Sequence, residues 1–424
     1  MHNENKPIIN ANFYIMKVKT LYFIIFIVIP VLVVSQTADR KQTEKYPYLG
    51  TYGALIDGVV DAEQRYKKPE INAEHQRRIK ALLSLPGFDD TALPKDIRIE
   101  RTWKKDGVEG IEYSWDVGYG PRTFAWLLRP EGAQGPLPGI LALHDHGGFK
   151  TLGKEKIADG PDKMMADLNN FRRQYYGGRA FATELARKGF TVLVPDVFMW
   201  SSRKHSPDNF APQAKRMAAA LELSGSLGTG WTPEIRQYEY AAGQTERYLD
   251  QYLRLAGTNM AAVVSHEDRL SANFLVSLEQ YTQKGGIGCV GLSGGGARSS
   301  LLQGTCTHIR AAVVVGMMST YREILTRYIE THTNILFPEG LADFGDWPDV
   351  AGARSPSPLM VLYDREDQIF PLEGMQAADR RLTEIYTKSG AKDNYHGEFF
   401  PGQHKFDVEM QEIAFQWLKT KLQQ

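Results

Sequence analysis

Residues 287–295 read IGCVGLSGG, and this stretch decides the fold. Ile287–Val290 is a short, uncharged apolar run of the kind that forms a strand covered on both faces. It runs directly into Gly291-Leu292-Ser293-Gly294-Gly295, a G-x-S-x-G pattern, and the following residues 297–303 are helix-compatible. The pattern alone is weak, because a chain with 39 glycines can produce it by chance. Its context gives it weight. A strand that turns sharply into a helix at a serine presents that hydroxyl at the end of the sheet as a nucleophile. Glycines flank the serine because it occupies a strained turn, where a side chain would crowd the adjoining strand and helix. Ser293 is therefore the candidate nucleophile. A Gly-rich loop with a bystander serine is the bland alternative, and it leaves the strand and helix on either side unexplained.

Outward from the elbow, the same alternation recurs. Gly139–Leu143 (GILAL), Thr191–Val194 (TVLV), Ala311–Val315 (AAVVV) and Leu359–Tyr363 (LMVLY) are short and continuously apolar, as buried parallel strands are. Helical patterns lie between them at Arg179–Lys188, Leu270–Tyr281 and Met375–Thr387. Near the C-terminus, Met410, Ile413, Ala414, Trp417 and Leu418 form the i, i+3, i+4, i+7, i+8 stripe of one buried helix face. Upstream, Ile97–Trp103, Gly110–Trp115 and Thr123–Leu128 alternate in polarity between Asp-Gly and Gly-Pro turns and read as antiparallel strands. The sequence thus predicts one α/β catalytic domain over residues 96–424, with a mostly parallel central sheet and antiparallel N-terminal strands. Residues 36–95 read as a lead-in with one helix around Asn72–Leu83. Residues 197–262 break the rhythm as a helical insertion carrying Trp200, Trp231, Tyr238, Tyr240, Tyr248 and Tyr252. A second irregular stretch covers residues 317–358. Insertions at strand ends cover the ligand crevice, so the helical one is expected over the active site. Its aromatics are read as packing groups ahead of a sugar-stacking platform.

A serine nucleophile needs a base, and the base needs an orienting carboxylate; in an elbow enzyme they follow in the order acid, then histidine. Asp367 stands four residues beyond the Leu359–Tyr363 strand and is the candidate acid, with Asp364 as runner-up because it can instead cap the turn. Of ten histidines, His404 alone lies after Asp367 in a loop at a strand end. His396 is also downstream but falls within the strand ending at Phe400. The oxyanion hole is expected to combine the amide of Gly294 with one from the loop His144-Asp145-His146-Gly147-Gly148-Phe149. Gly147, Gly148 and Phe149 are the candidate donors, with Gly148 and Phe149 placed first. Reading His144, Asp145 and His146 as metal ligands is disfavoured, since one short loop does not readily bring all three onto one ion. Cys289 and Cys306 are read as buried free thiols, with a bridge as the alternative.

Composition limits the remaining choices. Fifty basic residues balance fifty acidic ones, so no electrostatic excess draws the chain to nucleic acid. Leu21–Val34 is an apolar run broken only by Pro30, preceded by Lys17 and Lys19 and followed by Ser35-Gln36-Thr37. Its length fits a signal peptide over residues 1–35 and falls short of the roughly 20 apolar residues a membrane span needs. No stable membrane anchor is expected, and the mature chain is read as exported to the periplasm or the cell exterior. Met16 stands just before Lys17 and is an alternative start. Oligomeric state is left open.

The stretches GCVGLSGGGARSSLL, LALHDHGGFK and PLMVLYDREDQIFP, with GQHKF, resemble the α/β-hydrolase superfamily in its dienelactone hydrolase and acetyl xylan esterase-like branch. The resemblance spans roughly residues 95–420. It implies that Ser293 is the nucleophile, Asp367 the acid and His404 the base, and that an ester is cleaved through an acyl-enzyme without metal or organic cofactor. Dienelactone hydrolases proper use a cysteine nucleophile, so serine at 293 favours esters. Asp364 and Asp145 depart from the branch, where glycine is usual. Exported relatives of this kind often serve polysaccharide degradation, which implies an acetyl-type ester on a plant or algal polysaccharide or oligosaccharide. Two other functions compete. One is a lyase or dehydratase on uronic-acid-containing oligosaccharides, with Lys150, Lys154, Arg172, Arg173 and Arg298 available for a sugar carboxylate. The other is a serine peptidase, although no propeller-like repeat precedes the catalytic part.

Overall fold

The apolar runs are continuous because both faces of one sheet are covered. The structure, a computed structural model, describes residues 45–61, 68–326 and 328–423. Its strands are β1 (Lys95–Lys105), β2 (Val108–Asp116), β3 (Thr123–Pro130), β4 (Gly139–Leu143), β5 (Thr191–Pro195), β6 (Ile287–Leu292), β7 (Ile309–Val315), β8 (Leu359–Asp364) and β9 (Tyr395–Phe400). They lie in the order β1-β2-β3-β5-β4-β6-β7-β8-β9. β1, β2, β3 and β5 pair antiparallel in succession, and every pair from β5 through β4 to β9 is parallel. Because side chains alternate along a strand, Leu141, Leu193, Cys289, Ala312 and Val361 fall on one face and Ile140, Val192, Val290, Val313 and Leu362 on the other. Each set joins a separate buried cluster, so the sheet is the middle layer of three.

The C-terminal helix Val408–Leu422 packs Met410, Ala414 and Leu418 fully against one sheet face, with Ile413 and Trp417 at its edges. Burial of a Met or Leu side chain contributes about 1.5–3 kcal/mol, which explains why this stripe decides the helix orientation. Helix Ala73–Leu82 is capped by Asn72, whose side chain accepts the amides of Glu74 and His75. Its Ile79 enters the core, and Asn273 ties the following turn down through the carbonyls of Asp90 and Ala92. The described residues from 68 onward form one compact unit, within which this helix precedes the strands. Residues 45–61 belong to a separate unit and contain the short helix Gly53–Val60, beside which Tyr46 donates to Asp57 at 2.7 Å. The expected signal segment, residues 1–35, and the alternative start at Met16 lie outside the described residues. Among the described residues, no helix is long and apolar enough to cross a membrane.

The insertion contains helices Pro212–Leu223 and Pro233–Leu255. The next helix, Met260–Ser277, begins ten residues before its expected start at Leu270. It is buried nearly all round, and its charged residues are paired: Asp268 takes a bidentate fork from Arg298 at 2.6 and 2.9 Å, and Glu267 receives Arg203 at 2.6 Å. Paired polar groups on an enclosed helix erase the amphipathic stripe that reveals a surface helix. Cys289 and Cys306 are both buried and free, so the bridged alternative is not adopted.

Close backbone approach fixes the elbow. A Cβ at Gly295 would stand 2.2 Å from the carbonyl oxygen of Leu143, and one at Gly291 would stand 2.6 Å from that same oxygen. By contrast, Gly243 sits inside the helix Pro233–Leu255 with open space around its Cβ position. Gly295→Ala is expected to lower the unfolding free energy by about 3 kcal/mol or to prevent folding. Gly243→Ala is expected to raise it by about 0.5–1 kcal/mol. Denaturant titration of both variants checks the contrast, which reverses if the elbow backbone can relax freely.

Candidate active site

Ser293 follows β6 and precedes helix Gly294–Thr305 with φ 57° and ψ −117°. For a residue with a side chain this conformation is strained by roughly 1–3 kcal/mol and persists only where surroundings impose it. They do so here: the Ser293 amide donates to Val315 O at 2.8 Å, and its carbonyl accepts the first helical bond from Ala297 at 2.9 Å. Ser293 lines a cavity of about 250 Å3 together with Gly294, His404, His146 and Tyr175. Leu292, Leu336, Ile369 and Phe370 supply its apolar wall, and Thr331, His332 and Thr333 its polar one.

His404 stands on the loop after β9, and its Nδ1 is 2.6 Å from Asp367 Oδ2. The other oxygen of Asp367 accepts the amides of Ile369 at 2.9 Å and Phe370 at 3.2 Å, so the carboxylate is fixed by its own turn. Burial disfavours the His404 imidazolium, but the Asp367 bond and charge, with Asp364 and Asp145 nearby, outweigh it and raise the pKa above 6.5. The hydroxyl of Ser293 makes no hydrogen bond among the described residues; His404 and Ser293 share the cavity without being bonded. Asp364, the runner-up acid, ends β8 fully buried and accepts the amide of Lys405 at 3.0 Å, leaving Oδ1 without a partner. Burial pushes its carboxyl up to about 8. His396 is exposed on β9 beside Glu398.

The loop after β4 is pinned from several sides. Lys156, fully buried, donates to the carbonyls of Asp145 at 3.0 Å and His146 at 2.9 Å, and Tyr176 donates to the Asp145 carboxylate. Within the loop, the Gly148 amide donates to His146 Nδ1 at 3.0 Å and the Phe149 amide to His146 O at 3.2 Å. Phe149 is buried, stacked on Trp231 with centroids 4.0 Å apart. The two amides expected first as oxyanion donors are thus spent on internal bonds. The amides of His146 and Gly147 make no hydrogen bond among the described residues. The backbone nitrogen of His146 lies 2.6 Å from where a Cβ on Gly294 would stand, so it neighbours the helix N-terminus at which the Gly294 amide is unsatisfied. The sequence locates the glycines that permit the turn; which amides the turn leaves free depends on bonds formed within it.

The cations considered for a sugar carboxylate are engaged elsewhere. Lys150 pairs with Glu246, Lys154 with Asp196, Arg172 with Asp159, and Arg298 with Asp268. Arg173 is exposed and donates to Asn170. Among the described residues no lysine or arginine lines the cavity. The helical insertion does not line it either; its Trp200 and Tyr238 are packing groups, and the segment 331–336 of the second irregular stretch forms the wall. Asp364, Asp367 and His404 bring ligand atoms within 4.8 Å of one another, a spacing a cation could bridge, although both Asp367 oxygens already hold hydrogen bonds. His144, Asp145 and His146 do not converge: each turns to a different partner.

The fold so assembled is that of the α/β-hydrolases. Two solved structures share it at low sequence identity. A "putative acetyl xylan esterase" of Bacteroides fragilis NCTC 9343 is 13% identical with a TM-score of 0.57, covering 83% of this chain and 82% of its own. A glucuronoyl esterase from Solibacter usitatus is 13% identical with a TM-score of 0.52, covering 82% of this chain and 92% of its own. By sequence, the chain is similar to "Putative hydrolase YtaP" of Bacillus subtilis (strain 168), 22% identical over 272 residues, 64% of this chain and 74% of that protein. No family model matches the chain.

Two pH responses follow from the site. His404 should titrate above 6.5 in the folded protein, and lower in Asp367→Asn, where only the charges of Asp364 and Asp145 oppose burial; imidazole NMR shifts check this. Both His404 and Asp364 have folded pKa values raised above their unfolded ones. Their contributions to stability are therefore present at low pH and lost as pH rises, for Asp364 through about 8. Asp364→Asn is expected to flatten the decline in stability between about pH 4 and 8, measured by denaturation at each pH; an unchanged slope contradicts the assignment.

Proposed function

We propose that the protein is an exported serine esterase that removes acetyl-type groups from plant or algal polysaccharides or their oligosaccharides. The observation that carries this reading is the strained Ser293 at the strand–helix turn, sharing one cavity with a histidine bonded to Asp367. In this reading His404 Nδ1–H donates to Asp367, which leaves Nε2 unprotonated to take the Ser293 proton as Oγ attacks the ester carbonyl. The amides of Gly294 and His146 receive the negative oxygen of the tetrahedral intermediate. Collapse breaks the bond to the alcohol, which leaves with the proton held by His404. Water, deprotonated by the same histidine, then attacks the acyl-enzyme and restores Ser293. No step calls for a cofactor.

The small cavity and its apolar wall of Leu292, Leu336, Ile369 and Phe370 favour a short acyl group. The esterase names carried by the structural neighbours agree with ester chemistry. The uronate lyase reading is weakened because its candidate cations are paired away from the cavity. Export rests on the apolar run Leu21–Val34 with its basic flank.

Ser293→Ala is expected to lower turnover of aryl acetates by about 10⁴-fold or more. Mass spectrometry of products from acetylated and uronate-containing oligosaccharides should show loss of acetyl groups as acetate. Loss of water with a new C=C absorbance, or full activity in Ser293→Ala, would sink the proposal.

A further inference from the structure

Glu246 is a nearly fully buried carboxylate with no part in the steps above, yet its two oxygens bond to two separate stretches of the cavity lining. On one side, Oε2 is 3.3 Å from His146 Nε2 and accepts from Lys150 Nζ, both on the loop after β4. On the other, Oε1 accepts the Thr333 hydroxyl and the Asn334 amide at 3.2 Å. His146 and Thr333 line the cavity, whereas Glu246 stands behind them on the insertion helix Pro233–Leu255. Seven residues earlier on the same helix face, Glu239 accepts the amides of Lys150 at 2.6 Å and Thr151 at 2.8 Å. The ammonium of Lys150 also lies 3.8 Å from the ring centre of Trp200, and the residue is buried.

Burying an ion pair is a poor source of stability, because desolvation offsets most of the attraction; what it supplies well is fixed geometry. The geometry at stake can be followed bond by bond. His146 Nδ1 accepts the Gly148 amide, so in the neutral ring the proton is on Nε2, which faces Glu246 Oε2 at 3.3 Å with the Lys150 ammonium also 3.3 Å away. Burial and the Lys150 charge keep that ring neutral by lowering its pKa. The ring is thereby held at both nitrogens, and its orientation sets the turn that leaves the His146 backbone amide beside Gly294.

We infer that Glu246 is a positioning residue that holds the oxyanion loop through His146 and couples it to the Thr333 wall, which makes the helical insertion part of the active-site apparatus. The inference rests on the esterase reading. In Glu246→Gln the carboxamide presents a single oxygen, so one wall must lose its acceptor.

The test compares wild type and Glu246→Gln on an aryl acetate, with rates normalised to sites titrated by a fluorophosphonate. It also measures inhibition by a trifluoromethyl ketone, which forms a tetrahedral oxyanion on the serine. Expected are a fall in kcat per titrated site of about 10- to 100-fold, less than the 10²–10³ for deleting a whole oxyanion donor, and a parallel loss of ketone affinity. KM should stay within about threefold. A merely structural role would lower the melting temperature and the number of titratable sites, while leaving kcat per site and ketone affinity within about twofold of wild type; that result overturns the inference. If the unpaired Lys150 prevents folding, Glu246→Gln/Lys150→Met removes both charges and carries the same expectations. Labelling of wild type at Ser293 is read first. Its absence overturns the esterase reading, whereas labelling with unchanged Glu246→Gln kinetics overturns this inference alone.

Discussion

The contact between the elbow helix and the end of β4 is the constraint on which the rest of the site depends. Leu143 O occupies the space that a side chain on Gly291 or Gly295 would need, so strand, turn and helix approach more closely than ordinary residues permit. That approach holds Ser293 in its positive-φ conformation, with its amide anchored on Val315 of the neighbouring strand. It also brings the backbone of His146 next to Gly294. One close packing of backbone on backbone thus sets both the strained serine and the neighbouring backbone of Gly294 and His146. The sheet supplies the rigidity: the strands on either side are buried on both faces, so local relaxation would expose apolar surface on two sides at once.

Around this rigid point the polar groups are buried in pairs. Asp367 holds His404, Lys156 holds the carbonyls of Asp145 and His146, Arg298 grips Asp268, and Glu246 bridges His146, Lys150 and Thr333. Each of these contacts satisfies a buried polar group where water is scarce and fixes a direction that apolar packing would leave free. Zero net charge over the chain agrees with this economy: the protein has no global field to draw in a charged polymer, and its cations near the site are turned to internal partners. A cavity is left whose lining combines hydroxyls, imidazoles and apolar side chains with the Asp145 carboxylate and, among the described residues, no lysine or arginine.

Much of this was legible in the sequence, for reasons that also explain what was not. Runs such as GILAL and LMVLY have no solvent-facing period, and the Gly-x-Ser-x-Gly stretch is local, so sheet class and elbow could be read from neighbouring residues. Asp367 and His404 could be named because each follows a strand in a fixed chain order. The insertion helix at Pro233–Leu255 was visible as helical, but its role was not: Glu246 meets His146 across a separation of 100 residues, and no local pattern encodes that. The helix Met260–Ser277 lost its first ten residues in the sequence reading because Glu267, Asp268 and Arg269 look solvent-facing and are in fact enclosed with partners. That the Gly148 and Phe149 amides bond within their own loop was hidden for a similar reason. Which amide a tight turn leaves free depends on side-chain bonds formed inside it.

The central claim, that Ser293 carries the acyl group, is tested most directly by trapping the intermediate. The protein is mixed with an aryl acetate, quenched in acid within the first turnover, and digested for peptide mass spectrometry. The account predicts a mass gain of one acetyl group on the peptide containing Ser293, localised to that side chain and absent in Asp367→Asn and His404→Ala quenched at the same time. Acetylation confined to another residue, or product release with no adduct at any time point, would contradict it.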